Sequence, residues 1–240
     1  MFRHLLPGLS RRVSLSIPSQ CAVCHHWPSQ PVCEACMAQF AQPTRRCRTC
    51  ALPIEGDSSQ CSACLHSPPV FGRCIAAVRY AYPWSELIVA FKFQGHPAWA
   101  QSFAHILRST PWVEPLIEDA DLLLPLPLSK SRLQWRGYNQ SQLIADAIAP
   151  QKCASHLLLR IKDTPPQSSL SREERLRSVR DAFAVDPLRM EQVRGKKVVL
   201  VDDVMTSGAS MASAARSLQL AGAAQVNAIV FARTDKDPNG

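Results

Sequence analysis

Eight of the chain's ten cysteines lie between Cys21 and Cys64, in four Cys-x-x-Cys pairs: Cys21/Cys24, Cys33/Cys36, Cys47/Cys50 and Cys61/Cys64. This block holds few large apolar side chains. A stretch so short and polar cannot build an ordinary core and needs a covalent or metal staple. The compartment decides which. Ser10-Arg11-Arg12 faintly matches a twin-arginine export signal, but the apolar stretch behind it stops at Pro18, short of the ~7–15 residues such a signal needs. A cytoplasmic location is therefore expected, where thiols stay reduced and dense cysteines point to metal. Zinc takes four soft ligands at tetrahedral corners, and two knuckles supply them. Eight thiolates make two closed structural Zn2+ sites. Sequential pairing is the simplest arrangement, and an interleaved one satisfies the same count. Cys21-Ala22-Val23-Cys24-His25 also spells a haem-attachment pattern, but the other three knuckles lack the histidine. His25, His26 and His66 are expected at the surface, and Cys74 and Cys153 in an ordinary core.

Beyond Pro68-Pro69 the character of the chain changes. The sequence as a whole has 240 residues, 46% hydrophobic and 19% charged, below the ~25% charge of an average soluble domain. No apolar run approaches the ~20 residues of a membrane span. We expect a flexible arm over 1–20, a two-site metal block over 21–67 and an α/β domain over 70–235. Strands are expected at Ile75–Tyr82, Asp121–Leu126, Leu157–Ile161, Val198–Val201 and Gln225–Ala232. Helices are expected at Trp84–Phe93, Ala98–Leu107, Gln140–Ala149 and Gly208–Leu220, with Gly222 closing the last. Ser129–Asn139 reads as a polar, basic loop. Asp163–Arg194 reads as an excursion that contains a capping box of Ser171 and Glu174. Strands alternating with helices imply a parallel sheet.

The stretch Val198-Val199-Leu200-Val201-Asp202-Asp203-Val204-Met205-Thr206-Ser207-Gly208-Ala209-Ser210 carries the most chemical information. An apolar strand ends in two carboxylates, and a loop of small hydroxylated residues leads into a helix. Backbone N–H groups at such a helix start point at an anion, and the helix dipole adds to the attraction. Thr206, Ser207 and Ser210 add hydroxyls, and Gly208 and Ala209 leave room for a phosphate. Asp202 and Asp203 stand where a sugar diol would sit. In open parallel sheets, ligands bind beyond the carboxyl ends of the strands. An acidic strand end also occurs in P-loop NTPases, but none of the nine glycines fits Gly-x-x-x-x-Gly-Lys-Ser/Thr or Gly-x-Gly-x-x-Gly.

Residues 198–210 resemble the phosphoribosyl pyrophosphate motif of type I phosphoribosyltransferases, and the chain as a whole resembles the ComF family of DNA-uptake proteins. The resemblance spans residues 21–233. It rests on the cysteine pairs, which look like a double zinc ribbon, and on Phe91-Lys92-Phe93-Gln94-Gly95. It rests further on Pro125-Leu126-Pro127-Leu128 leading to Arg136-Gly137-Tyr138-Asn139-Gln140, and on Thr164-Pro165-Pro166-Gln167 through Arg175 to Ala182-Phe183. Ser207 and Ser210 replace the usual threonines and keep the hydroxyl. Ser178 replaces a frequent asparagine.

The resemblance implies a type I phosphoribosyltransferase-like sheet flanked by helices behind an N-terminal ribbon. It implies a pocket for phosphoribosyl pyrophosphate or a nucleotide-like ligand. Asp202 and Asp203 would bind the ribose hydroxyls, directly or through Mg2+, and residues 206–210 the 5′-phosphate. Lys92, Arg132, Arg136, Gly137, Asn139 and Gln140 would form the pyrophosphate side. The implied role is handling imported single-stranded DNA alongside other DNA-uptake proteins, and the alternative is an active phosphoribosyltransferase. Residues 1–72 carry six arginines against three acids, within a net charge of +8. Trp27 and Phe40 near the knuckles are candidates to stack on DNA bases.

Overall fold

The computed structural model describes residues 19–162 and 181–235. Residues 1–18 of the expected arm, the Ser171/Glu174 capping box, Thr164–Gln167, Arg175 and Ser178 lie outside the described residues.

Strands β1 (Cys74–Arg79), β2 (Leu122–Pro125), β5 (Lys197–Met205) and β6 (Gln225–Arg233) form one sheet in the order β1-β6-β5-β2. Every pairing in it is parallel. Parallel strands are covered on both faces and so read as unbroken apolar runs. In β6 every residue after Gln225 is buried. Alternate residues face two cores. Val199, Val201, Ile229 and Phe231 pack on one side, and Val198, Leu200, Ala228 and Val230 on the other.

Helices α3 (Trp84–Phe93), α4 (Trp99–Arg108), α5 (Val113–Asp119) and α7 (Gln140–Ile148) line the first face, and α8 (Ala209–Leu220) the second. The first core centres on Phe103, whose ring stacks on Phe231 at 3.9 Å and meets Phe91 edge-on at 5.3 Å. Strands β3 (Leu158–Arg160) and β4 (Phe183–Val185) form a separate antiparallel pair packed near α8.

Two expectations need correction. Ser129–Asn139 is not a loop, because it contains helix α6 (Lys130–Arg136). Ser129 Oγ accepts from the Arg132 N–H at its start, and Gly137 closes it at φ 78°. α6 buries no residue, so it lacks the apolar period that reveals a helix, and only its caps remain as a signal. The acidic strand also runs on past Val201 to Met205. β2 stops pairing at Val201, while β6 continues alongside to Met205. Asp202 and Asp203 therefore lie inside a strand, at the point where its neighbour has ended. Helix α5 was not expected, since it is short and carries Pro115.

The cysteine block is seated on the sheet domain. Its short helices are α1 (Glu34–Phe40) and α2 (Ser62–His66). Cys21, Val32 and Cys36 join the first core, Ala51 joins the second, and the Trp84 indole donates to the Phe40 carbonyl at 2.9 Å. Phe103→Ala is expected to lower unfolding free energy by ~3–5 kcal/mol, measured by urea titration. A loss below ~1 kcal/mol would contradict this account of the core.

Candidate functional site

One cleft of about 540 Å³ opens at the carboxyl ends of β2 and β5. Its size falls in the ~300–1,000 Å³ range of small-molecule sites. Asp202 and Asp203 form its floor. Lys92 Nζ lies 2.8 Å from Asp203 Oδ1. The Ser141 hydroxyl donates to Asp202 Oδ1 at 2.7 Å, and the Asp203 N–H donates to the same oxygen at 2.9 Å. Burial pushes the Asp202 carboxyl up to about 7, and the neighbouring Asp203 charge adds to the rise. Lys92 and the two hydrogen bonds oppose it.

The loop after β5 supplies the next wall. Gly208, the N-cap of α8, has φ 77°. A Cβ there would meet nothing closer than Met205 Sδ at 3.5 Å, so the glycine is required by its left-handed backbone rather than by crowding within the protein. Ser207 Oγ accepts from the Ala209 N–H at 3.4 Å. Thr206, Ser207 and Ser210 are all partly exposed and line the cleft.

The basic wall comes from α6 and the start of α7. Arg136 Nη1 donates to Gln140 Oε1 at 3.0 Å, and its guanidinium lies 5.0 Å from the centre of the Phe93 ring. Burial lowers the Arg136 pKa, and the nearby Asp203 charge opposes the fall. Arg136 Nε and Gln140 Nε2 are buried with no hydrogen-bond partner. Leaving buried donors unpaired costs ~1–3 kcal/mol each. Both belong to residues that line the cleft, although these two atoms are themselves shielded from it.

Lys92, Arg132, Arg136, Gln140, Asp202, Asp203 and residues 206–210 all line this cleft, while Gly137 and Asn139 do not. Those two shape it from outside. Gly137 ends α6, and Asn139 caps α7 while its amide donates to the Leu126 carbonyl at 3.0 Å. Between them Tyr138 donates its hydroxyl to the Phe91 carbonyl. One short segment thus clamps both α3 and the Pro125–Leu128 turn. Phe93, Trp135, Ser141, Arg160 and Phe183 also line the cleft and were not among the expected site residues, although Phe93 and Phe183 fall within the family-like motifs. The first three neighbour expected residues along the chain. Arg160 and Phe183 meet only because they are partners in the β3–β4 ladder.

The cysteines gather sequentially. Cys21, Cys24, Cys33 and Cys36 form one group and Cys47, Cys50, Cys61 and Cys64 the other, each with ligand atoms within 4.8 Å of one another. The Cys21–Cys36 sulfurs stand 3.9 Å apart, and the Cys24–Cys33 and Cys50–Cys61 pairs 3.6 Å. A disulfide would need ~2.05 Å, whereas thiolates ~2.3 Å from one tetrahedral ion stand roughly 3.8 Å apart. Burial opposes ionisation of Cys21 and Cys47. Backbone N–H groups outweigh it and pull these thiols down to about 6 and about 7. Burial pushes the Cys36 and Cys64 thiols up instead, so it is the sulfur spacing that suits each tetrad to a soft, tetrahedral cation.

His25, His26 and His66 are exposed. Cys74 is buried and Cys153 is partly buried against the first core; burial pushes both thiols up to about 12. Trp27 is exposed, but Phe40 packs edge-on against Tyr82 at 5.7 Å and against the core. Phe40 is therefore a packing residue, and of the two candidates for stacking on bases only Trp27 is exposed.

Arg233, only 4% exposed, connects the tetrads to the cleft. Its Nε donates to the Cys50 carbonyl at 3.0 Å, and its Nη1 to the carbonyls of Met205 at 3.1 Å and Thr206. One buried guanidinium thus holds a knuckle of the second tetrad and the start of the hydroxylated loop.

Comparison with known proteins agrees with this geometry. A family model, the phosphoribosyl transferase domain, matches residues 112–238. The chain is 31% identical over 237 residues to the DNA utilization protein YhgH of Salmonella typhimurium, covering 92% of this chain and 99% of that protein. It is 25% identical to competence protein F of Haemophilus influenzae, covering 87% and 93%. It is 26% identical to competence protein ComFC of Bacillus subtilis, covering 86% of each.

The raised Asp202 pKa has a measurable consequence. The folded protein favours the neutral carboxyl, whereas the unfolded chain ionises near the ordinary 3.8. This group's contribution is full below about 4 and is lost as pH rises towards about 7. Asp202→Asn removes the ionisation, so its gain in Tm should grow from pH 5 to pH 8 by roughly 2 °C or more, read by thermal melts. A gain that is equal at both pH values would refute the assignment.

Proposed function

This chain belongs to the ComF family, and we propose that it handles imported single-stranded DNA in the cytoplasm and carries a pocket for phosphoribosyl pyrophosphate or a related nucleotide. The observation that carries the pocket reading is the convergence of three chemistries in one cleft: the acid pair, the hydroxylated loop at the N-terminus of α8, and the basic side chains of Lys92, Arg132 and Arg136. The DNA role is drawn from the names of the relatives and from the net charge of +8.

In this reading Asp202 and Asp203 accept hydrogen bonds from the ribose hydroxyls. The N–H groups and hydroxyls of residues 206–210 hold the 5′-phosphate, and Lys92, Arg132, Arg136 and Gln140 face the diphosphate. Mg2+, when bound with the diphosphate, would neutralise its charge beside the two carboxylates. The cysteine tetrads hold two structural Zn2+ ions.

A second reading, a working phosphoribosyltransferase, draws on the basic wall of Lys92, Arg132 and Arg136. Stabilising a departing diphosphate requires fixed donors aimed at its oxygens. Incubation with magnesium, phosphoribosyl pyrophosphate and a panel of bases separates the two. The binding role predicts a rise in Tm without pyrophosphate release. Release that Asp202→Ala abolishes would establish the enzyme instead. If neither phosphoribosyl pyrophosphate nor nucleoside monophosphates raise Tm, the pocket reading falls.

Metal analysis of the purified protein should find two zinc per chain, and one or none would overturn the two-site reading. Affinity for an oligothymidylate should fall steeply between 50 and 200 mM salt, as phosphate contacts require (roughly tenfold or more). A protein that does not retain the strand at 50 mM salt would not be a DNA-handling protein.

A further inference from the structure

A sugar phosphate accounts for only part of the cleft. Two large aromatic side chains stand bare at its basic edge: Trp135 is 70% exposed and Phe93 51%. Their ring centres are 5.6 Å apart and the planes tilt by 46°. Trp135 lies on α6, which buries none of its residues, so packing does not explain a tryptophan there. Phe93 is the last residue of α3 and directly follows Lys92, the partner of Asp203.

The pair is held by the same contacts that build the site. The Arg136 guanidinium lies over the Phe93 ring, and Tyr138 fixes α3 through the Phe91 carbonyl. The aromatic edge therefore has a set position relative to the acid pair. Both rings line the single cleft that also contains Asp202, Asp203 and residues 206–210.

We propose that Phe93 and Trp135 form a stacking platform for the nucleobase of a nucleoside 5′-monophosphate. The inference rests on the pocket reading above, in which the ribose lies at Asp202 and Asp203 and the phosphate at residues 206–210. A nucleobase is the ligand part that fits what remains. It carries a π face that stacks on tryptophan and phenylalanine. Its ring nitrogens and carbonyl oxygens are acceptors that suit the arginine-lined wall. In a nucleotide it is joined to the ribose, so one molecule spans the acid floor and the aromatic edge. Phosphoribosyl pyrophosphate has no such ring and leaves both side chains uncovered. The platform thus selects nucleotides over bare sugar phosphates.

Calorimetric titration of the full chain tests this with two probes, adenosine 5′-monophosphate and ribose 5-phosphate. Stacking on an aromatic side chain is worth ~1–3 kcal/mol per base. Trp135→Ala should therefore weaken adenosine 5′-monophosphate roughly 5- to 100-fold. Ribose 5-phosphate should change by less than about twofold, and Trp135→Phe should restore most of the nucleotide affinity. The exposed position of Trp135 makes loss of folding an unsuitable explanation, and a thermal melt of each variant checks it. Equal weakening of both probes, or of neither, overturns the platform. Weakening of an oligothymidylate with adenosine 5′-monophosphate untouched assigns the aromatic pair to a DNA strand and also overturns it. Wild-type protein that binds neither ribose 5-phosphate nor adenosine 5′-monophosphate would remove the pocket reading itself, a result distinct from a Trp135-independent site.

Discussion

Two adjacent carboxylates at a half-covered strand end repel each other, and much of the surrounding structure answers that repulsion. The offsets come from elsewhere in the chain. Lys92 at the end of α3 reaches Asp203, and Ser141 in the first turn of α7 reaches Asp202. Each contact requires its helix to be placed on the sheet, so the stacked core around Phe103 and Phe231 is a condition for the acid pair. Burial, with the Asp203 charge adding to it, still leaves the Asp202 pKa raised. A diol or cation at this floor would relieve it, which makes the same feature costly to the free protein and useful to a ligand site.

The segment from Arg136 to Gln140 organises the rest. Arg136 lies over Phe93, Tyr138 holds the Phe91 carbonyl, and Asn139 holds the Leu126 carbonyl. Three stretches far apart in sequence are thereby locked into one wall. Arg233 does similar work on the opposite side by bridging Cys50 and the Met205–Thr206 backbone. Carbonyl groups pair the donors of the buried Arg233 guanidinium, which offsets the cost of its burial. The second tetrad and the hydroxylated loop consequently share a strut, so disorder in one would be felt by the other.

The parallel sheet was legible because its strands are unbroken apolar runs separated by helical periods. The acidic strand and its loop were legible because their residue types are unusual together. Helix α6 was hidden, since a helix that buries nothing carries no apolar stripe, although Ser129 and Gly137 marked its ends. The packing of Phe40 was hidden as well, because an aromatic side chain reads alike whether it faces solvent or the core. The pairing of Arg160 with Phe183 across the hairpin depends on a register that no local pattern specifies.

The sequence by itself determined the chemistry available. Four cysteine pairs demanded a staple, and an apolar strand leading into Asp202, Asp203 and small hydroxylated residues placed acids and hydroxyls side by side at a strand end. These follow from residue type and spacing, which are local. The tertiary structure decided which cysteines share a site, that Asp202 would be raised and Asp203 paired with Lys92, and that Phe93 and Trp135 would stand exposed on one cleft. Those outcomes depend on distances between segments tens of residues apart, and only packing on the sheet sets such distances.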